Sequence, residues 1–392
     1  MSAAINVLSC KVILKPATMA EDTSLEEHIN TFLPPAIRIW SIRRAQGSFN
    51  PRGMCDQRQY EYTLPTHVFL GPKSGSHMFE RLKKHRPAPA TEPATATVTA
   101  SEPAPAAETA PAKVEDDAAS MPAEPAATTA AAPAPTPAAP AAAAAPAVTA
   151  TLAAAAAAPI EVAAQTASDA FWALQAAESS FADDLTAKKA WRMPQDVLEA
   201  ARRFVKAYEG SYNYHNFTVG KDFRDRSCQR TMRKLEVTEP FIVNGTEYVS
   251  IRFLGQSFML HQIRKMVGLA ILAIRTSTPP SLVAETFGPA RIHVPKAPAL
   301  GLLLLEPQYI EYNKKVEEGN VKVDMLKTDG KMTPEECENQ TRETITGEGV
   351  QDKVDAFKQK EVYDRMWEIE QAEDTYALWL NYLDVYQGPD FE

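Results

Sequence analysis

Between residues 247 and 274 the chain reads EYVSIRFLGQSFMLHQIRKMVGLAILAI, and few folds can accept this stretch. Val249, Ile251 and Phe253 alternate with polar residues, the period of a half-buried strand. Gly255 breaks that pattern. Leu260, Ile263, Val267, Ile271 and Ile274 then recur at helical spacing. Arg264 stands inside this apolar helix. A guanidinium stays charged and is costly to bury without an anionic partner. By itself Arg264 reads as a structural ion pair or a snorkelling helix residue. Left without a partner in a dry core, it would cost roughly 3–5 kcal/mol.

Length and composition set outer limits. A chain of 392 residues, 45% of them hydrophobic, has room for two or three domains and a sizeable core. No apolar run is long enough for a membrane span. The first residues, MSAAINVLSCKVILK, show no signal-peptide layout. Cys10, Cys55, Cys228 and Cys337 are scattered, which points to a reducing compartment and to no zinc site. The net charge of −9 is unevenly spread. Residues 190–275 hold 14 Lys and Arg against 8 Asp and Glu, and residues 1–87 hold 12 against 7. Residues 312–392 hold 10 against 20. Two basic segments with an acidic tail leave a nucleic-acid partner open despite the acidic balance.

Four segments follow from the patterning. In residues 1–87, strands are expected at 6–14, 37–42 and 59–64. Ser24-Leu-Glu-Glu27 reads as a capping box that opens a helix with Leu25, Ile29 and Phe32 on one face, stopped by Pro34-Pro35. Residues 88–168 are almost all Ala, Pro, Thr, Glu and Val. They read as a disordered linker, helical at most from residue 153 where prolines thin out. Residues 169–312 resume order. A helix over 194–209 puts Val197, Ala200, Ala201, Phe204 and Tyr208 on one face, a two-strand hairpin turns at Asn244-Gly245, and 300–309 reads as a buried strand. Residues 313–392 form an acidic helical extension. Its 353–386 stretch places Phe357, Met366, Ile369, Tyr376, Trp379, Leu380 and Leu383 at helical spacing. This stretch is expected to pack on the domain surface, with the excess charge facing solvent.

Six motifs stand in order across the linker. Phe49-Asn-Pro-Arg52 precedes Arg58-Gln-Tyr60-Glu-Tyr62. Tyr212-Asn-Tyr214-His-Asn-Phe217-Thr and Arg224-Asp-Arg226-Ser-Cys-Gln-Arg230-Thr follow. Gln256-Ser-Phe-Met-Leu-His261-Gln-Ile-Arg264-Lys-Met-Val-Gly268 comes next, then Ala297-Pro-Ala-Leu-Gly-Leu-Leu-Leu. In this order and spacing the chain resembles the TruA-type tRNA pseudouridine synthases, the eukaryotic multisite branch above all, over residues 1–87 and 170–312.

The resemblance implies an α+β pseudouridine synthase fold, with two α/β halves sharing a mixed sheet and an RNA cleft between them. It implies isomerisation of uridine to pseudouridine in tRNA, and in other structured RNA, with no cofactor, no metal and no membrane. In that chemistry the glycosidic bond breaks, the uracil turns and C5 rejoins the sugar, on a nucleotide lifted from its stack. Tyr60 would pack on the uracil and help move the C5 proton. Arg264 would pair with an aspartate and keep it ionised. Arg52, Arg58, Arg224, Arg226 and Arg230 would contact phosphates, and His261 would contact RNA or sit as a core histidine. Tyr62 is a decoy for Tyr60 one alternation away, and the 224–234 run can also be read as a solvated face. A nuclear location is expected ahead of a mitochondrial or cytoplasmic one.

One departure from the family pattern matters most. The family aspartate belongs to an R-T-D-K-G-V-S-A-like motif, and Met1 falls at that motif's last hydrophobic position. The expectation is therefore an N-terminal half lacking its first strand and helix, and a site lacking its nucleophile. Asp56 and Glu61 flank Tyr60 but match other family positions, and Glu61 should point away from Tyr60. Two readings follow: a start placed too late, or a short form that binds RNA without isomerising it. A scaffold built on the linker is a third.

Overall fold

The structure, a computed structural model, describes residues 2–85 except 14, 15, 17, 18 and 21, and residues 158–385 except 177. Seven strands form one mixed sheet: β1 (Ser2–Ala3), β2 (Gln57–Pro65), β3 (Gly210–Asn213), β4 (Gln229–Val237), β5 (Phe241–Val243), β6 (Thr246–Gly255) and β7 (Leu302–Gln308). The order is β1-β7-β2-β6-β4-β3, with β5 paired to β6. Only β1 and β7 run parallel. Strands from both sides of the linker thus share one sheet.

The helices are α1 (Leu25–Asn30), α2 (His77–His85), α3 (Ala158–Ala173), α4 (Phe181–Ala190), α5 (Gln195–Lys206), α6 (Gln262–Arg275), α7 (Ser281–Thr286), α8 (Ile310–Thr328), α9 (Pro334–Gln340), α10 (Gln351–Phe357), α11 (Asp364–Glu373) and α12 (Thr375–Val385). None is long and apolar enough to cross a membrane. One face of the sheet carries Tyr62 and Leu64 of β2 with Val249, Ile251 and Phe253 of β6. It packs on Phe204 of α5 and on Ile263, Val267, Ile271 and Ile274 of α6. Burying a large aliphatic or aromatic side chain contributes about 1.5–3 kcal/mol. The opposite face is more polar. Thr63 and Ser250 share a hydroxyl hydrogen bond of 2.8 Å there, and Arg252 and Glu61 lie 3.5 Å apart.

Several expected elements take a different form. The strand expected over 6–14 shrinks to Ser2–Ala3, continued by Ala4 and Ile5 amides bonded to β7 carbonyls. Beyond it no strand offers a partner, and Leu8 is 80% exposed. Residues 37–42 are irregular, with the Ile39 amide donating to Asn30 Oδ1 and its carbonyl accepting from Asn30 Nδ2. The Ser24 capping box forms, yet Phe32 lies past the end of α1 and is exposed. The hairpin at Asn244-Gly245 turns with φ of 49° and 81°, as the pair requires. Its first strand is split into β4 and β5 around Pro240, and both pieces pair with β6. Leu260 precedes α6 and is 66% exposed, so it leaves the apolar stripe.

The disorder expected for residues 88–168 falls, as far as 157, outside the described residues. From Ala158 the chain is helical, and Ala164 and Ser168 of α3 are buried. The acidic tail is no appendage. Tyr376 and Leu380 of α12 belong to the main core, and Tyr312 and Val316 of α8 pack with Phe49. Ile369 of the expected stripe is exposed, because a π-helical turn at Lys358–Tyr363 shifts the helical phase and Asp374, at φ 49°, ends α11.

Glu370 of α11 ties the tail together by accepting from the Tyr376 amide at 3.3 Å. Burial above all, with Asp374 adding, pushes its carboxyl up to about 7 from 4.5; the Tyr376 bond and Lys189 oppose this. A carboxyl with a raised folded value holds its proton more tightly when folded. Its stability contribution is therefore complete below pH 4.5 and lost as the pH climbs through 7. Glu370→Gln keeps the acceptor and removes the charge. Urea denaturation is expected to find it about 2–3 kcal/mol more stable than the parent at pH 8 and equal to it near pH 4.5.

Candidate active site

The register gathers one end of the sheet. Arg58 of β2 lies opposite Gly255, the last residue of β6, and Gly255 lies opposite Met232 of β4. Two residues before Met232, Arg230 faces Tyr212 of β3. The chain leaves β6 here, its Gln256 amide bonded to the Thr231 carbonyl at 3.0 Å, and turns through His261 into α6. Arg58, Arg230 and His261 therefore stand at the end of the sheet from which α6 starts. Arg224 and Arg226, both exposed, sit in the loop that feeds β4. Asp225 between them is engaged by Lys221 at 2.5 Å and by the Ser227 amide at 2.8 Å. Arg52 lies in the exposed turn before β2, its amide held by Asn50 Oδ1.

Tyr60 and Tyr62 follow Arg58 on the same strand face, about 7 Å apart. They differ in surroundings. Tyr60 is half-buried and meets the Phe258 ring edge-on at 5.0 Å. Burial raises its phenol above 10, and the Arg58 charge opposes that rise. Tyr62 is fully buried and donates to the Pro298 carbonyl at 2.6 Å. Burial raises it too, opposed by Tyr376 and by the charge of Arg264. Of the two, Tyr60 keeps accessible surface and Tyr62 is core.

Arg264 is half-buried in the first turn of α6. Its Nε donates to the Ala297 carbonyl at 2.7 Å, and the Ala297 amide returns a bond to the Arg264 carbonyl at 3.0 Å. Among the described residues it forms no ion pair. The two acids near Tyr60 in sequence are occupied elsewhere. Asp56 Oδ2 accepts from the Glu311 amide at the start of α8. Glu61 sits on the other sheet face, where Tyr363 donates to it and Arg252 approaches. The register Ser2↔Leu303 sets the N-terminal end of β1 beside the start of β7. Residues 297–301, which anchor Arg264, lead into that start.

Close backbone approach makes this anchor possible. A Cβ on Gly268 of α6 would lie 2.2 Å from the Pro295 carbonyl, and one on Gly301 would lie 1.9 Å from the Thr63 carbonyl. Residues 295–301 thus touch α6 on one side and β2 on the other, and the two glycines permit it.

Charge around the α6 start has one sign. His261, at φ 64°, is shifted below 6.5 by burial and then by Lys296, Arg264 and Lys265. Lys265 was not singled out by sequence, although it follows Arg264 directly. It is 8% exposed, and its Nζ donates to the Asn216 and Thr218 carbonyls, both at 2.9 Å. Burial foremost, then Arg291 and Lys296, lowers it from 10.5 to about 8. A polar residue recurring inside an apolar stripe was the available signal, and Arg264 absorbed it.

Comparison with known proteins agrees with the motifs. The tRNA pseudouridine synthase family profile matches residues 204–310. The chain is 32% identical to tRNA pseudouridine synthase 1 of Yarrowia lipolytica over 98% of its own length and 63% of that protein's. It is 34% identical to tRNA pseudouridine synthase 1 of Schizosaccharomyces pombe over 99% of its own length and 72% of that protein's. It is 29% identical to tRNA pseudouridine(27/28) synthase of Saccharomyces cerevisiae over 80% of its own length and 69% of that protein's. The chain spans about three-fifths of the length of several of these relatives, 58% for the Kluyveromyces lactis protein.

A methyl at residue 268 must push residues 295–297 away from α6. Gly268→Ala is expected to lower stability by about 1–3 kcal/mol in urea denaturation, against the roughly 1 kcal/mol that alanine normally adds to a helix. A gain in stability would show that the segment yields freely.

Proposed function

The chain belongs to the tRNA pseudouridine synthase family, and from that premise we propose that its site binds tRNA and is built for isomerising uridine to pseudouridine. The observation that carries this reading is Arg264. Its guanidinium stands at the start of an apolar helix, fixed by a backbone carbonyl and paired with no carboxylate among the described residues. It acts on the same strand face that carries Tyr60. A carboxylate brought there gains a fixed, charge-assisted partner and stays ionised in a pocket that would otherwise protonate it.

Each residue then has a role. Tyr60, with Phe258 at its edge, supplies the aromatic wall for an extruded uracil, and its phenol oxygen helps move the C5 proton. Arg58, Arg230, Arg224, Arg226 and Arg52 neutralise phosphates and set the register of the RNA without reading its sequence. His261 lies among cations, which suits a neutral imidazole beside a phosphate. The tRNA is the substrate, and other structured RNA fits the same phosphate contacts. A nuclear site of action is part of this proposal.

The central aspartate is the missing piece. Residues 1–392 contain no R-T-D-K-like motif, and Asp56 and Glu61 are bound elsewhere. The geometry supports a partner for Arg264 arriving ahead of Ser2, because β1 begins next to the segment that anchors Arg264. The chain as written is therefore proposed to hold tRNA without isomerising it.

Release of tritium from tRNA carrying [5-³H]uridine tests this, since rejoining at C5 expels the C5 hydrogen. The chain as written is expected to bind the transcript at low salt and release nothing. The same chain preceded by the family's aspartate motif is expected to release tritium, and Arg264→Met in that longer chain to abolish it. Release by residues 1–392 alone would overturn the account of the aspartate. Failure to bind tRNA at low salt would overturn the RNA reading.

A further inference from the structure

We propose that Lys265 is a positioning residue for RNA binding: its buried ammonium clamps the 212–218 loop to the start of α6 and keeps the cationic wall beside Arg264 in place. The inference rests on the RNA-binding reading above. Two bonds of 2.9 Å from Nζ end on the Asn216 and Thr218 carbonyls. Thr218 Oγ1 closes the same junction by donating to the Leu260 carbonyl at 3.0 Å, one residue before His261. Asn216 then carries the clamp outward. Its Nδ2 donates to the Thr286 and Ala290 carbonyls, and its Oδ1 accepts from the Ile292 amide. Arg291, between those anchors, bonds the Lys221 carbonyl at 2.6 Å and so reaches the loop that bears Arg224 and Arg226. The α6 start with His261 and the loop with Arg224 and Arg226 are thus joined to one lysine through the 212–218 and 286–292 segments.

A neutral residue could supply packing at this junction, but a charged one does more. Among the described residues no carboxylate pairs with Lys265; the charges acting on it are those of Arg291 and Lys296, and His261 feels the lysine in turn. Bonds from an ammonium to carbonyls are roughly twice as strong as those from a neutral amine. The ammonium also adds to the positive field that His261 and Arg264 experience. Both contributions fade as the lysine loses its proton near pH 8. His261 and His215 have already lost theirs, being shifted below 6.5, and Tyr60 keeps its own, being above 10. The window from pH 7 to 9 therefore includes Lys265, together with the terminal amine and cysteine thiols, whose ordinary values are near 8, and Glu370 at about 7. An arginine at 265 controls for all of these, because it keeps its charge throughout.

The test is the affinity of the full chain for a tRNA transcript at pH 7 and pH 9 at constant salt, with circular dichroism melting alongside. For the parent, affinity is expected to fall about tenfold between the two pH values, the equivalent of about 1.4 kcal/mol. K265R is expected to show a flat profile near the parent's pH 7 affinity. K265M is expected to be weak at both pH values while still melting cooperatively. Lys296→Met is expected to weaken binding at both pH values yet keep the parent's decline. A parent profile that is flat from pH 7 to 9 overturns the inference even if a variant fails to fold. K265M matching the parent in affinity and profile overturns it equally. Binding with a flat profile counts against Lys265 alone, whereas no binding by the parent at pH 7 removes the RNA reading and this inference with it.

Discussion

The backbone of residues 295–301 is pressed between a helix and a strand, and the candidate site is hung on it. On one side the Pro295 carbonyl fills the space that a side chain at Gly268 would need; on the other the Thr63 carbonyl does the same at Gly301. Between these contacts Ala297 exchanges two hydrogen bonds with Arg264, and the Pro298 carbonyl receives Tyr62. Close-packed backbone is stiff, because interiors tolerate little change in volume. A side chain bonded to such a segment inherits its rigidity. The position of Arg264 is thus set by two glycines that carry no chemistry of their own, and α6 could not approach its neighbours if either were larger.

Much of this could be read from residue order, for an identifiable reason. Where large apolar residues recur with a clear period, as in β2, β6, α5 and α6, the elements form where the pattern places them. Leu260 is instructive: it keeps the period but lies before a left-handed His261, so the stripe ends sooner than its spacing suggests. Residues 6–14 and 37–42 have strand composition without a strand to pair with, and propensity alone does not supply the missing hydrogen bonds. The three-way junction at Lys265 was invisible for another reason. Its partners are backbone carbonyls 47 and 49 residues away, and carbonyls leave no mark in a sequence.

The tail shows how charge can hide structure. Its acidic excess reads as solvent-facing charge on helices that pack on the domain, and single residues plug it in at four places. Tyr312 bonds the Gln46 amide, Tyr363 meets Glu61, Tyr376 bonds the Thr63 carbonyl, and Asp384 holds buried Arg275 at 2.8 Å. Three of the four are tyrosines, which bury a ring and still satisfy a polar group at its tip. Most of the surrounding acids remain outside, with Glu370 buried. Net charge described the surface of the tail and said nothing about its inner side. By engaging Glu61, the tail also fixes which sheet face stays acidic, so the Arg264 face is left to cations.

That separation bears on what Arg264 costs the fold. A guanidinium buried with no anion would weaken the fold by several kcal/mol, and the sequence suggested such a burden. The structure distributes it differently. Arg264 is half-buried, its Nε is satisfied by a carbonyl, and its remaining nitrogens are not enclosed in apolar core. The more deeply buried charge is its neighbour Lys265, which burial above all, with Arg291 and Lys296, holds below the usual lysine range. Among the described residues neither this lysine nor the guanidinium beside it has a counter-ion, and that shared lack of an anion is what the proposed function draws on.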